Sequence, residues 1–194
     1  MKTLLRIDSS MRLKNSYSRR IGDNFVQEWK IRNPDGKVKH REVGTCFIPH
    51  LDQALFEEFH IDQNPSEKIR LSDELIAELF ECDEILITVP MYNFGIPSSL
   101  KAYIDLVVRT GKTFRYEDKP IGLLKNKKAY ILSSMGDIKT DALSFVEMHL
   151  QQVLNYIGIK DIYFYSLDGT ADENYATKQL HNQITSFNNS INNR

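Results

Sequence analysis

E-I-L-I-T-V-P-M-Y-N-F-G-I-P-S-S-L-K-A-Y-I-D-L-V-V-R-T-G, residues Glu84 to Gly111, reads as a buried strand, a loop and an amphipathic helix. Glu84 to Val89 is short, rich in β-branched residues and almost uninterruptedly apolar, which suits a central parallel strand covered on both faces. Pro90 closes it, because proline has no N–H to give to the ladder. Pro97 suits the first helical position, where a missing N–H costs nothing. Behind it Leu100, Tyr103, Ile104, Val107 and Val108 recur at helical spacing, and Gly111 offers a left-handed stop. Between the prolines, Met91 to Ile96 carries an aromatic pair, an amide and Gly95, which would let backbone approach something flat. In an open α/β sheet, the loop at the carboxyl end of a parallel strand is where ligands bind.

The same alternation of strand and helix extends outward in both directions. Upstream, Lys2 to Asp8 is a strand, followed by a polar loop and a helix to about Arg32 whose buried stripe is Ile21, Phe25, Trp29 and Val26. Asn33-Pro34-Asp35-Gly36 is a turn by composition, and Lys37 to Val43 a more exposed strand. Gly44 to Pro65 has apolar clusters without a sustained period and reads as loop with a helical turn or two. Ser66 to Glu81 is a helix with Ile69, Ile76, Leu79 and Phe80 facing in. Downstream, Lys112 to Lys127 is an extended insertion, and Lys128 to Ser134 is a fourth strand ending in Ser134-Met135-Gly136-Asp137. Ala142 to Ile157 is a helix with Leu143, Val146, Leu150, Val153 and Leu154 inward, closed by Gly158. Asp161 to Tyr165 is a fifth strand, and Asn174 to Ile191 a last helix.

Five strands alternating with helices imply an α/β protein with a parallel sheet and right-handed crossovers. No GxGxxG follows the first strand, which argues against a dinucleotide-binding half. A flavodoxin-like three-layer sandwich is expected, its five-stranded parallel sheet in the order 2-1-3-4-5 with helices on both faces. The 194 residues suffice for one sizeable domain, residues 1–194, and not for two. Balance between 25 Lys and Arg and 26 Asp and Glu argues against a nucleic-acid surface or a polybasic membrane anchor. The run Thr3 to Ile7 is too short for a signal peptide, and no stretch is long enough to span a membrane. Cys46 and Cys82 have no metal or redox spacing and read as reduced thiols, so a cytoplasmic location is expected. The five histidines are scattered without ligand spacing, so no metal is expected.

Three loops at the carboxyl ends of strands one, three and four are chemically suggestive. The first offers Ser10, Ser16 and Ser18 just before a helix, with Arg12, Lys14 and Arg19 nearby. Helix N-termini present free N–H groups and partial positive charge, so a phosphate is their natural occupant, although such serines also serve as ordinary caps. The second, Met91 to Phe94, can grip a planar heterocycle, with Asn93 able to donate and accept at a ring edge; its aromatics could equally pack on the neighbouring helix. The third adds Gly136 and the backbone around Ser134. A phosphate seat beside a flat-ring seat at one sheet edge describes FMN.

The chain resembles the FMN-dependent NADH-azoreductases, the family also described as NADH:quinone oxidoreductases, within the flavodoxin-like NAD(P)H dehydrogenases. The resemblance is carried by Ser9-Ser10 and Ser16-Tyr17-Ser18, and by P-M-Y-N-F-G-I-P-S-S-L-K-A-Y-I-D-L-V-V-R-T-G-K-T-F-R-Y at Pro90 to Tyr116. It is carried also by G-L-L-K-N-K-K-A at Gly122 to Ala129 and Y-I-G-I at Tyr156 to Ile159. It implies a homodimer with one FMN per subunit and NADH or NADPH as donor. The acceptors it implies are small and aromatic: quinones, azo compounds and nitroaromatics. By this resemblance FMN contacts fall on Ser10, Ser16, Tyr17, Ser18, Met91, Tyr92, Asn93, Phe94, Ser134, Met135, Gly136 and Asp137. Phe94, Tyr116 and Tyr156 are expected to form an aromatic substrate wall. The resemblance implies hydride transfer to flavin N5 and then passage of two electrons to the acceptor in a ping-pong sequence, so no residue is assigned as catalytic acid or base. One departure stands out: Ser-Met-Gly-Asp at Ser134 to Asp137 replaces the family's usual Ser-Arg-Gly-Gly, putting a carboxylate where glycine normally lets backbone approach the flavin. A flavodoxin-type electron carrier, or a flavin-binding sensor with little turnover, is the alternative reading.

Overall fold

The structure is a computed structural model and describes residues 1–61, 64–138 and 144–180. Along the chain the elements are β1 (Thr3–Asp8), α1 (Tyr17–Arg32), β2 (Lys37–Glu42), α2 (Gln53–Glu58), α3 (Glu67–Glu81) and β3 (Glu84–Pro90). They continue with α4 (Ser98–Val107), β4 (Phe114–Tyr116), β5 (Pro120–Gly122), β6 (Lys128–Ser134), α5 (Phe145–Ile157) and β7 (Asp161–Leu167). A further helical segment covers residues 173–180. The main sheet has the order β2-β1-β3-β6-β7, and every neighbouring pair in it is parallel. Counted among themselves, these five strands have the order 2-1-3-4-5 that the sequence implies.

Strand alternation builds the layers, because successive side chains leave a sheet on opposite faces. Leu4 of β1, Leu86 of β3 and Tyr130 and Leu132 of β6 share one cluster with Ile21, Phe25 and Trp29 of α1 and with Leu180. Leu5 and Ile7, Ile85, Ile87 and Val89, and Ala129 and Ile131 join the other cluster, with the apolar stripes of α3, α4 and α5. Each such side chain, fully withdrawn from water, contributes about 1.5–3 kcal/mol. All seven residues of β3 are buried, as a strand in the middle of the sheet requires. Its one carboxylate, Glu84, accepts from Trp29 Nε1 at 2.7 Å and from Lys2 Nζ at 2.9 Å. The edge strand β2 is different: in K-V-K-H-R-E only Val38 is apolar, packed at the margin of the first cluster, and Arg41 ties the strand to Glu74 and Glu78 of α3.

Several local expectations are revised. Pro97 is the N-cap of α4, not its first helical residue, and the helix stops at Val107. Gly111 is left-handed (φ 77°) but lies in the turn beyond, where its N–H meets the Phe114 carbonyl at 2.7 Å. In α3 Ile69, Ile76 and Leu79 face in as expected and Leu75 joins them, while Phe80 is 45% exposed, one position round the helix from the buried Leu79. The insertion forms a two-stranded antiparallel hairpin, β4 with β5, of which only the first strand was apparent in sequence. Helix α5 starts at Phe145, later than Ala142, because Ser144 and Glu147 form a capping box. Strand β7 runs to Leu167, two residues past Tyr165. Leu143, and the proposed last helix beyond Leu180, lie outside the described residues.

Candidate active site

Because β1, β3 and β6 are adjacent and parallel, the loops that follow them emerge at one rim of the sheet. They enclose a cavity of about 270 Å³. Ser10, Arg12, Asn15, Ser16 and Tyr17 line it from the first loop, Pro90, Met91 and Tyr92 from the second, and Ser134, Met135 and Gly136 from the third. Thr170 and Ala171, beyond β7, complete the lining.

The first loop ends in a helix start. Ser16 is the N-cap of α1, its Oγ accepting from Arg19 N, and lies 3.2 Å from Ser18 Oγ. Both hydroxyls are buried at the positive end of the helix. Asn15 precedes them at φ 55°, a left-handed conformation that asparagine tolerates better than most residues. Ser10 Oγ accepts from Arg12 N at 3.2 Å and sits 3.4 Å from Tyr92 Oη, so the first and second loops meet through a hydroxyl pair. Beneath this loop Asp8 accepts from Thr88 Oγ1 at 2.7 Å, pairs with Arg6 and lies 2.9 Å from His40 Nε2. Burial pushes the Asp8 carboxyl up. The hydrogen bonds of His40 and Arg6, with the charge of Arg6, outweigh burial and hold it down at about 2. Asp8, His40 and Glu42 lie close enough together to suggest a metal site. Arg6 and Arg19 already supply the positive charge there, so the cluster reads as an ion-pair network.

The second loop is a tight hairpin turn. Tyr92 and Gly95 exchange both backbone bonds, at 3.0 and 2.9 Å, and the two residues between them, Asn93 (φ 48°) and Phe94 (φ 63°), are left-handed. Such a pair of positive φ values is what a two-residue hairpin turn of type I′ requires. The glycine is not where the constraint falls: a Cβ on Gly95 would meet only the Tyr92 carbonyl, at an ordinary 3.8 Å. Phe94 instead bears the strain and projects outward, 74% exposed. The third loop is stitched to the one after β7. Met135 N donates to Leu167 O, Thr170 N and Oγ1 donate to Met135 O, and Gly169 N donates to Asp137 O.

Of the twelve residues expected around a cofactor, eight line this cavity: Ser10, Ser16, Tyr17, Met91, Tyr92, Ser134, Met135 and Gly136. Ser18 is buried just behind Ser16, and Asn93, Phe94 and Asp137 stand exposed on the rim loops. Arg12, Asn15, Pro90, Thr170 and Ala171 are additional. Thr170 and Ala171 carry a faint sequence signal, since the order 2-1-3-4-5 puts the end of the fifth strand beside the fourth and Gly169 marks a turn. Tyr116 and Tyr156 are elsewhere. Their hydroxyls lie 3.2 Å apart, and both rings pack around Phe114, Tyr156 at 4.7 Å between centroids. The mutual hydrogen bond pushes the Tyr156 phenol up to about 12. Tyr156 lines a second hollow of about 900 Å³, between the β4–β5 hairpin, the end of α5 and the amino ends of β6 and β7. That groove is the larger, but two of its lysines are held by backbone carbonyls, Lys127 by Phe80 O at 2.9 Å and Lys160 by Asn155 O at 2.6 Å. Converging loops, buried hydroxyls and a helix start favour the smaller cavity as the reactive one.

Residues 1–190 match a family model described as flavodoxin-like fold. A protein of Cellvibrio japonicus named FMN-dependent NADH:quinone oxidoreductase is 42% identical over 178 residues, covering 87% of this chain and 88% of that protein. One of the same name from Marinomonas sp. is 43% identical over 166 residues, covering 82% and 84%. The chain belongs to the FMN-dependent NADH:quinone oxidoreductase family. Its fold is also that of an azoreductase from Bacillus anthracis, with TM-score 0.83 at 20% identity over 96% of this chain and 98% of that one. A B. anthracis FMN-dependent NADH-azoreductase in complex with FMN superposes with TM-score 0.82, at 20% identity over 98% and 99%. Among the described residues no helix is long and apolar enough to cross a membrane.

Proposed function

We propose that this protein is an FMN-dependent enzyme that oxidises NADH and reduces quinones, azo compounds and nitroaromatics in a ping-pong sequence. The observation that carries the reading is the convergence of three strand-end loops and the start of α1 on one cavity. The donors there fit the cofactor. Ser16 and Ser18 hydroxyls and the free N–H groups of the first turn of α1 would hold a phosphate monoester. Met91, Tyr92 and Asn93 would border a planar ring on one side and Ser134 to Asp137 on another. Gly136 opens on free space, since a Cβ there would meet nothing within 4 Å, so backbone can come close to a ring. Asp137 leaves that approach open, because it is exposed and its backbone is turned to Gly169. Bound FMN would supply two-electron chemistry, accepting a hydride from the nicotinamide and giving two electrons to the acceptor.

The chain's own part is to bind and orient. Phe94, exposed at the turn, would form an apolar wall for flat acceptors, and no side chain is needed as acid or base where solvent reaches the ring. Tyr116 and Tyr156 do not line the cavity of their own chain. A substrate role for them would need a second copy of the chain beside the cavity, so that role and the proposed homodimer stand or fall together.

The purified protein should be yellow, anaerobic addition of NADH should bleach its flavin absorbance, and benzoquinone should restore it. Initial rates at several fixed quinone concentrations should give parallel double-reciprocal lines. Protein that is colourless and takes up no FMN on titration would sink the proposal, and protein that stays yellow with NADH unless a separate reductase is added would mark an electron carrier.

A further inference from the structure

Arg19 is the third residue of α1, yet its guanidinium turns back under the loop that precedes the helix. All five of its N–H donors are engaged. Nε donates to Arg12 O at 3.0 Å, and Nη2 donates to Ser10 O at 2.6 Å and to Glu42 Oε1 at 2.9 Å. Nη1 donates to Glu42 Oε2 at 2.7 Å and to Asp8 Oδ2 at 3.3 Å. Its side chain is only 12% exposed and does not line the cavity, whereas Ser10 and Arg12, whose carbonyls it holds, do.

Peptide geometry gives this grip a consequence. In a planar trans peptide the C=O and N–H point in opposite directions. Holding the carbonyls of residues 10 and 12 on the guanidinium therefore turns the N–H groups of Met11 and Leu13 the other way. Two N–H groups turned to one side, beside a helix start, can serve an anion together. A second contact fixes the same loop from below. Gly44, at the end of β2, packs so tightly against it that a Cβ would fall 2.2 Å from Ser10 O. Glu42, the main partner of Arg19, also accepts from Gly44 N at 2.8 Å and Thr45 N at 3.2 Å. The floor and the clamp are thus one unit.

We propose that Arg19 is a positioning residue for the cofactor's phosphate: it touches no cofactor atom, and it sets the direction of the loop's N–H groups by fixing the Ser10 and Arg12 carbonyls. Its charge is already balanced by Glu42 and Asp8, so its contribution is directional and not a long-range attraction. Lysine cannot replace it, because one ammonium with three donors cannot serve two carbonyls and a bidentate carboxylate together.

The proposal rests on the phosphate seat being at Ser10 to Ser18, and the test separates the two. Dissociation constants of FMN and of riboflavin, which lacks the phosphate, are measured by fluorescence titration on the full chain, for the wild type, Arg19→Met and Arg19→Lys. Thermal midpoints are recorded alongside. The wild type should prefer FMN strongly. Both variants should weaken FMN binding by about 10- to 100-fold, the loss expected for one or two misdirected donors to a charged group, with riboflavin affinity within about twofold. Equal losses for the two flavins would make Arg19 a purely structural residue and overturn the idea, as would variants that keep the wild-type preference. Recovery of that preference by Arg19→Lys alone would replace direction by charge and overturn it too. A wild type with no preference for FMN would remove the seat itself.

Discussion

Single side chains in this protein carry opposed demands of stability and use. Phe94 holds a left-handed backbone that costs a bulky residue about 1–2 kcal/mol relative to glycine, and projects its ring outward. Phe94→Gly would give the Asn-Gly pair that this turn prefers. The variant is expected to unfold at higher urea, by about 1 kcal/mol of stability, and to show a raised KM for quinones with its flavin retained. A variant no more stable than the wild type would show that the turn is unstrained. Tyr103 is the converse case: its hydroxyl is buried with no partner among the described residues, and burial pushes its ionisation far up. Tyr103→Phe should raise stability by about 1 kcal/mol in denaturant titration, because a desolvated, unpaired hydroxyl is removed without loss of packing. The stripe containing Tyr103 was legible from helical spacing; the orphaned hydroxyl was not, since periodicity shows which side a residue faces and not whom its polar atom meets. Likewise M-Y-N-F-G suggested that glycine made room for a ligand, whereas the positive φ values fall on Asn93 and Phe94.

At the scale of elements, the hairpin β4–β5 separates what was legible from what was not. T-F-R-Y was visible as an extended aromatic piece, but P-I-G gave no alternation to mark its partner strand. The hairpin is fixed by two glycines that no pattern would pair, since a Cβ on Gly122 would lie 2.1 Å from Gly158 N. It presents Tyr116 beside Tyr156, away from the cavity of its own chain. Tyr156→Leu should change the KM for quinone and leave bound FMN intact, because the tyrosine lines no part of the cavity between the three loops. Unchanged kinetics would retire both its substrate role and the second copy that role implies. Strand β3, by contrast, was fully legible, because a seven-residue buried run leaves a single assignment. The misplaced Phe80 marks the limit of that approach: one residue round a helix turns a side chain by 100° and exposes it.

Across the whole molecule, charge links the sheet to the site. Asp8 has an ordinary carboxyl value of 3.8 and is held at about 2 when folded, burial opposing and the bonds of His40 and Arg6 prevailing. A carboxyl lowered by folding stabilises fully above its unfolded value and loses that contribution as pH falls through its folded one. Stability should therefore decline by roughly 2 kcal/mol between about pH 4 and pH 2 on account of this group alone. Urea titrations across that range should show the decline in the wild type and a smaller one in Asp8→Asn; parallel declines would sink the assignment. The sheet order and the three loops were legible from sequence, because strand placement needs only periodicity and turn chemistry. The bracing of the first loop by Arg6, Arg19 and Glu42 was not, since it joins β1, α1 and β2 across distances that no spacing encodes.

Strand β2 has a further consequence. With Lys37 and Lys39 along it and Val38 as its one apolar side chain, the free rim it leaves on the sheet disfavours pairing with a like strand from another molecule. Concentrated solutions should thereby resist fibril-like stacking at that rim, and exchanging those lysines for valines should forfeit that resistance.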